Sequence, residues 1–199
     1  VGLVLALVVN PWLLLIGVAA VAAAVLYTGG PKPYGYLGLG ELMVFVFFGV
    51  IATAGSAYVQ VETVPNAAWW ASVPMGLLAV AILVANNLRD IPTDAVAGKR
   101  TLAVRLREHR TRRFYRLCVT GAFVAVLAGV VVDAIDRGSG LPAWSLIAFA
   151  AAAAAIEPLR NIGSATGRAL IGVLVGTARL QVVFGVLLAL GLWIEALVP

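Results

Sequence analysis

The chain has 199 residues, of which 62% are hydrophobic and 12% are charged, and its formal net charge is +5. A soluble globular domain carries roughly 45–50% apolar and about 25% charged residues, so this composition excludes an ordinary water-soluble fold. The lone cysteine, Cys118, lies in an apolar run and is predicted to be a small core residue. An internal disulfide and a metal cluster held by several thiolates are therefore excluded.

Long apolar stretches recur along the whole sequence, and a helix that crosses a membrane needs about 20 such residues. We predict an all-α, polytopic transmembrane helical bundle. A partial segment at 1–9 precedes six complete spans, at 11–26, 42–60, 67–87, 114–134, 142–157 and 170–197. Helix-breaking or charged stretches separate these spans, as at Asn10-Pro11, Gly29 to Gly40 and Arg89 to Arg116. No long linker remains, so residues 1–199 are predicted to form a single domain.

The distribution of basic residues predicts an orientation in the membrane. One side receives Lys32, the nine basic residues from Arg89 to Arg116, and Arg160, Arg168 and Arg179, whereas only Arg137 falls on the other side. By the positive-inside rule the first side is cytosolic. The five tryptophans lie near span ends on the opposite side, as expected of an interfacial belt. We expect a multi-pass protein of a plasma membrane, with its basic side facing the cytosol. Its positive charge requires no nucleic-acid partner.

Two acids stand among these bases, at the cytosolic end of the third complete span. Asn86, Asp90 and Asp94 have the spacing i, i+4, i+8, which aligns them on one helical face if the helix continues past Pro92. Carboxylate and amide oxygens suit Mg²⁺, which takes further ligands from water and phosphate. Lys99, Arg100 and Arg89 could contact the remaining phosphate oxygens. The alternative is a charged loop whose acids and bases neutralise one another at the lipid headgroups.

A resemblance makes this segment more specific. The stretch from Asn86 to Leu106 resembles the second aspartate-rich motif of the UbiA superfamily of intramembrane prenyltransferases. The phrase from Tyr27 to Glu41, YTGGPKPYGYLGLGE, resembles a loop of the menaquinone branch of that superfamily, the 1,4-dihydroxy-2-naphthoate polyprenyltransferases. The phrase from Thr177 to Gln181, followed by Phe184-Gly185, is also similar to that branch.

The resemblance implies a fold of nine transmembrane helices around a central cavity, with two aspartate-rich motifs that hold Mg²⁺ against a polyprenyl diphosphate. It assigns this chain's residues as follows: Asp90, Asp94 and Asn86 as metal ligands; Asn86, Asn87, Arg89, Lys99 and Arg100 in substrate binding; and Tyr27 and Lys32, with the two aspartates, in catalysis. Only the second motif is present, since no acid precedes Glu41. We therefore expect about seven of the nine helices, with the N-terminal helices and the first motif missing, and no activity from the chain alone.

The implied function is Mg²⁺-dependent transfer of a polyprenyl chain to 1,4-dihydroxy-2-naphthoate, giving a demethylmenaquinone. Phe45, Phe47, Phe48 and Tyr58 are predicted cavity-lining residues. Membrane lipid is the other expected partner, and the basic residues from Arg105 to Arg116 could bind its anionic headgroups. Two alternatives stay open: prenyl transfer to another aromatic acceptor such as 4-hydroxybenzoate, and a membrane transporter that uses the aspartates to bind an ion.

Overall fold

The computed structural model describes residues 2–31 and 33–198, and these residues are almost wholly helical. The helices follow one another along the described chain as α1 Gly2–Val9, α2 Leu13–Thr28, α3 Gly40–Val61, α4 Asn66–Val96, α5 Leu102–Ile135, α6 Ala143–Asn161 and α7 Gly167–Leu197. No strand occurs in this part of the chain, so the all-α prediction is confirmed. The helices from α3 to α7 are long and apolar enough to cross a membrane, whereas α2 has 16 residues.

Each complete predicted span coincides with one of these helices, although α2 and α6 begin one or two residues after the predicted starts at 11 and 142, and two helices extend well beyond their spans. Helix α4 continues from the predicted end at 87 to Val96, and α5 begins at Leu102 instead of 114. The long charged loop that was predicted is therefore reduced to residues 97–101. Hydropathy marks where apolar side chains stop, and a helix can continue beyond that point with charged side chains at the membrane edge.

Helix α4 forms the centre of the bundle, since α3, α5 and α7 all pack against it. The fully enclosed side chains of the core include Leu78 and Val84 of α4, Tyr115 and Val119 of α5, and Phe184 of α7. Cys118 also belongs to this core, which confirms its predicted role as a buried packing residue. The charged end of α4 is thus carried by the most firmly packed helix of the molecule.

Helices α1 and α2 lie at the periphery. Helix α2 has no buried residue, and Ala6 is the only one that α1 contributes. The break between them is tied down by Asn10, whose Nδ2 donates to Tyr58 Oη of α3 at 2.8 Å, while its Oδ1 accepts from the backbone N of Trp12 at 3.0 Å. The loose packing of α2 leaves space between α2 and α3.

Helix α3 changes its winding where it crosses α4. Residues Phe45–Ile51 form a π-helical segment, a local widening that is frequently found at functional sites. Within it, Gly49 approaches Gly76 so closely that a Cβ on Gly49 would lie 2.5 Å from Gly76 Cα. Main chain therefore packs on main chain at this crossing, which fixes α3 at a short distance from α4.

The start of α5 is held to the loop between α6 and α7 by Arg112. This guanidinium is 8% exposed, donates to the carbonyls of Ile162 and Ala165, and lies 2.6 Å from Glu108. Arg112 thus differs from the basic segment predicted to face lipid headgroups, because its donors are used by backbone carbonyls at and just beyond the end of α6. The backbone of Arg107, with φ of 62°, interrupts the helix one turn earlier.

Arg179 lies inside a helix, as the predicted span 170–197 implies. It is exposed and occupies the interior of α7, well beyond the helix start at Gly167. The neighbouring Gly176 packs on Pro158 of α6, close to the end of that helix. Arg179 therefore lies on the surface of α7.

Candidate functional site

The second aspartate-rich segment is entirely helical. Helix α4 runs without interruption through Pro92 to Val96, so Asn86, Asp90 and Asp94 do share one face, as the i, i+4, i+8 spacing predicts. Asn86 Nδ2 lies 3.3 Å from Asp90 Oδ2. Proline withholds one backbone donor here, yet the helix continues for four residues beyond it.

Arg89 holds Asp90 through two hydrogen bonds. Its Nε donates to Oδ1 at 2.8 Å and its Nη2 donates to Oδ2 at 3.0 Å, while the same Nη2 reaches Asn86 Oδ1 at 2.9 Å. Such paired contacts match the planar guanidinium to the carboxylate. Both side chains remain about one-third exposed, so the pair is accessible from outside and its partners can exchange.

Lys99 makes the corresponding contact with Asp94. Gly98, with φ of 72°, turns the chain back after α4, and the Lys99 backbone N then donates to Asp94 O at 2.9 Å. Lys99 Nζ lies 3.0 Å from Asp94 Oδ1 and 4.9 Å from the centre of the Tyr36 ring. The hydrogen bond to Asp94 raises the pKa of Lys99 above its ordinary value, so the ammonium stays charged throughout the physiological pH range.

The glycine-rich loop packs directly on this turn. Tyr34–Leu37 forms one turn of 3₁₀ helix, and its Tyr36 carbonyl accepts a hydrogen bond from Arg100 N at 2.9 Å. The expectation that this loop and the aspartate segment lie at the same end of the bundle is confirmed by that contact. We refer to the end of the bundle that contains Tyr34–Leu37 and residues 90–100 as the charged end. The predicted loop residue Lys32 lies outside the described residues.

Tyr27 is enclosed by the loop that follows it. Its ring meets the Tyr34 ring edge to face at a centroid distance of 5.4 Å. A Cβ on Gly35 would lie 2.7 Å from Tyr27 O and 3.0 Å from the ring, so only glycine allows this approach. A Cβ on Gly40 would lie 3.3 Å from Tyr27 Oη. The hydroxyl of Tyr27 therefore points toward the start of α3, beside Glu41.

The structure adds Glu41, which the sequence did not mark as a site residue. Its carboxylate is 5% exposed and accepts a hydrogen bond from Asn87 Nδ2 at 3.0 Å. Asn87 is itself only 8% exposed and faces α3, whereas Asn86 faces the two aspartates. The only sequence signal was that Glu41 is the sole acid of the matched loop phrase. Arg100, by contrast, has an exposed side chain and reaches the site only through its backbone.

A cavity of about 490 Å³ opens below this cluster, between α2, α3 and α4. Its walls are almost entirely apolar, and Tyr27, Tyr34 and Leu83 border it at the charged end. Phe47 and Phe48 line it, as predicted, and Tyr58 lines a second cavity of about 690 Å³ that lies toward Trp12 and Trp69. Phe45 lines neither cavity and packs on Gly76 instead. An apolar chamber therefore adjoins a charged cluster.

The donor set can be compared with the needs of a divalent metal ion. Asn86, Asp90 and Asp94 offer amide and carboxylate oxygens, which are the ligands that Mg²⁺ prefers. In the part of the chain that the structure describes, no group of three or more His, Cys, Asp or Glu side chains is arranged to hold a metal ion by itself. These residues therefore fit an ion that takes its other ligands from a bound phosphate and water.

Comparison with known proteins agrees with this arrangement. The sequence model of the UbiA prenyltransferase family matches residues 1–168. The 1,4-dihydroxy-2-naphthoate octaprenyltransferase of Mycobacterium tuberculosis (strain ATCC 25618 / H37Rv) is 45% identical over 193 residues, which cover 94% of this chain and 62% of that protein. The enzymes of the same name from Mycobacterium leprae (strain TN) and Bacillus subtilis (strain 168) are 42% and 30% identical, over 80% and 92% of this chain.

The match covers 52% of the Mycobacterium leprae protein and 58% of the Bacillus subtilis protein. The chain thus spans between about half and two thirds of the length of these curated relatives. No solved structure matches it. Because the family match extends over most of the chain and includes both the glycine-rich loop and the aspartate segment, this chain belongs to the UbiA prenyltransferase family.

Proposed function

We propose that this chain carries the second aspartate motif of an enzyme that transfers a polyprenyl chain from polyprenyl diphosphate to 1,4-dihydroxy-2-naphthoate. The observation that carries the proposal is that the ion pairs Arg89–Asp90 and Lys99–Asp94 lie at the end of the bundle where Tyr27 and Tyr34 border an apolar cavity of about 490 Å³. A polyprenyl diphosphate likewise joins a charged head to an apolar tail. The acceptor follows from the names of the relatives.

In this proposal Asp90, Asp94 and Asn86 hold Mg²⁺ together with the diphosphate. The bound ion would supply charge neutralisation for the departing diphosphate. Arg89 and Lys99 pair with the two aspartates in this structure. We expect them to turn to the diphosphate oxygens when the substrate binds. The two cations would then neutralise phosphate oxygens, and the bound ion would neutralise the two carboxylates that they leave.

The other assigned residues complete the diphosphate site. Arg100 has an exposed guanidinium next to Lys99, so it can reach a phosphate at the membrane surface. Lys32 is proposed from the loop phrase, and Tyr27 borders both the cavity and the start of α3. Tyr27 stands between the proposed head and tail sites, where an allylic carbon would lie. Its ring and hydroxyl are placed to shield the developing carbocation from water.

Prenyl transfer requires that water be excluded while the allylic C–O bond breaks. The walls formed by Phe47, Phe48 and Met43 provide an apolar surface for the isoprenoid chain. The electron-rich naphthoate ring would then attack the allylic carbon as the diphosphate departs, and loss of the carboxylate as CO₂ would give a demethylmenaquinol, the reduced form of a demethylmenaquinone. The positive-inside distribution of basic residues supports a cytosolic location for the charged end, in a bacterial or archaeal plasma membrane.

The test is product analysis with the intact protein in membranes. The protein is supplied with Mg²⁺, a polyprenyl diphosphate and either 1,4-dihydroxy-2-naphthoate or 4-hydroxybenzoate, and products are identified by mass spectrometry. We expect a prenylated, decarboxylated naphthoquinol, or the quinone that air oxidises it to, from the first acceptor only, and only while Mg²⁺ is present. Prenylated 4-hydroxybenzoate as the main product would reject the acceptor assignment, and absence of any prenylated product would reject the proposal.

A further inference from the structure

The buried pair Glu41 and Asn87 joins the start of α3 to α4, one helical turn beyond Leu83, which borders the cavity. Both side chains are more than nine-tenths buried, and the Asn87 amide nitrogen donates to Glu41 Oε1 at 3.0 Å. Glu41 stands in the first turn of α3, where the helix dipole favours a negative charge. A buried carboxylate without a hydrogen-bond partner is energetically unfavourable, so Glu41 needs its hydrogen bond to Asn87.

This bond fixes which end of the Asn87 amide faces away from Glu41. In the structure Asn87 presents its NH₂ group to Glu41, which is the orientation that an ionised carboxylate requires, because such a group only accepts hydrogen bonds. The amide oxygen, Oδ1, then points elsewhere and has no hydrogen-bond partner in the described part of the chain. Asn87 is only 8% exposed, and a buried amide oxygen without a partner is unfavourable. Asn87 Oδ1 is therefore an acceptor that a bound molecule can satisfy.

The position of Asn87 on α4 relates its amide oxygen to the proposed substrate. Leu83, one helical turn before Asn87, borders the apolar cavity, and Asp90 and Asp94 follow within the next two turns. Asn87 thus lies between the place proposed for the isoprenoid chain and the place proposed for the diphosphate. The ring of the acceptor must come to this border to meet the allylic carbon.

We propose that Glu41 is a positioning residue: it holds the Asn87 amide so that Oδ1 accepts a hydrogen bond from a phenolic hydroxyl of the aromatic acceptor. The inference rests on the proposed function. An amide held in this way selects acceptors that carry a hydroxyl donor. It discriminates against an O-methylated analogue, which would leave the amide oxygen without a partner.

The variant Glu41→Gln tests the orientation. A glutamine can both donate and accept, so Asn87 is no longer forced to turn its oxygen toward the acceptor. In the intact protein in membranes we expect kcat/KM for the acceptor to fall about tenfold, as for the loss of one hydrogen bond. The KM for polyprenyl diphosphate should stay within about twofold, and the preference for the hydroxylated over the O-methylated acceptor should shrink by about the same tenfold factor.

A double variant and a matched control separate positioning from folding. Glu41→Gln combined with Asn87→Asp reverses the direction of the hydrogen bond but keeps an acceptor oxygen on the cavity side, so it should recover most of the lost acceptor preference. Glu195→Gln makes the same chemical change at an exposed position of α7 and should behave as wild type.

The outcomes are distinguishable. Wild-type protein that transfers prenyl chains to no phenolic acceptor would reject the proposed function itself. Wild-type activity with an unchanged acceptor preference in Glu41→Gln would reject the inference alone. Equal losses for both substrates, without recovery in the double variant, would also reject the inference and would show that the pair only joins the two helices.

Discussion

Replacement of Gly49 by alanine should separate α3 from α4. A Cβ at this position would lie 2.5 Å from Gly76 Cα and 3.0 Å from both Gly76 N and Ser72 O. Carbon atoms in contact rest at about 3.5 Å or more, so the helices must move apart by about 1 Å at the crossing. The obstructing atoms belong to the main chain of α4, so no side-chain rotation can relieve the clash.

The expected cost follows from this geometry. Overpacking of a tight contact costs about 1–3 kcal/mol, and the better helix propensity of alanine returns up to about 1 kcal/mol. We therefore expect a net loss of about 0–2 kcal/mol in the free energy of unfolding relative to wild type, and of about 1–3 kcal/mol relative to a Gly-to-Ala change in the same helix that creates no clash. The Glu41–Asn87 bond of 3.0 Å joins the same two helices. A separation of about 1 Å would lengthen it beyond hydrogen-bonding distance.

Gly55→Ala provides the matched control, because it lies in the same helix and a Cβ there has no neighbour within 4 Å. Unfolding of both variants by sodium dodecyl sulfate in mixed micelles would report the free-energy difference. Prenyl transfer by the intact protein would report any loss at the site, since displacements of this size can reduce rates about 100-fold. If Gly49→Ala unfolds at the same detergent fraction as Gly55→Ala, the close crossing of α3 and α4 is not a feature of the folded protein.

Four further predictions concern the charged end, the orientation in the membrane and the activity of the chain alone. Asp90→Ala and Asp94→Ala should each reduce transfer by about 100-fold or more in the intact protein, as for loss of one charge-stabilising group, with helix content unchanged by circular dichroism. Lys99→Ala or Arg100→Ala should raise the KM for polyprenyl diphosphate and affect kcat less, so a larger fall in kcat would contradict their binding role. A cysteine placed at Arg137, with the native cysteine removed, should react with an impermeant reagent in intact cells; labelling only after permeabilisation would invert the orientation. The 199-residue chain alone should show no transfer, because it contains only one of the two aspartate motifs that the resemblance implies. Robust turnover would contradict that two-motif expectation.

Several features of this protein could be predicted because they depend on local sequence. The helices follow from apolar runs, since each run must bury its backbone polar groups within itself in a membrane. The common face of Asn86, Asp90 and Asp94 follows from helical spacing, and the structure shows that Pro92 does not interrupt it. The resemblance of the loop from Tyr27 to Glu41 then identified the family. Each of these inferences used residues close together in the chain.

Other features depend on residues that are distant in the chain, and no local pattern encodes them. Glu41 and Asn87 are separated by 46 positions, and their bond exists only because Gly49 lets α3 approach α4. Arg112 resembles its basic neighbours in sequence, but the end of α6 supplies the carbonyls that bury it.

The helices, the family and the set of charged residues at one end follow from short stretches of the chain, because hydropathy, helical spacing and local motifs act over a few turns. The pairing of distant residues and the choice of side chains that border the cavity depend on how the helices pack. Lys99 follows Asp94 by five positions, and its contact with that carboxylate depends on the turn at Gly98, while the loop of Tyr36 covers its ammonium. Partner choice is set by the packing of whole helices, and a single sequence does not contain the distances that this packing creates.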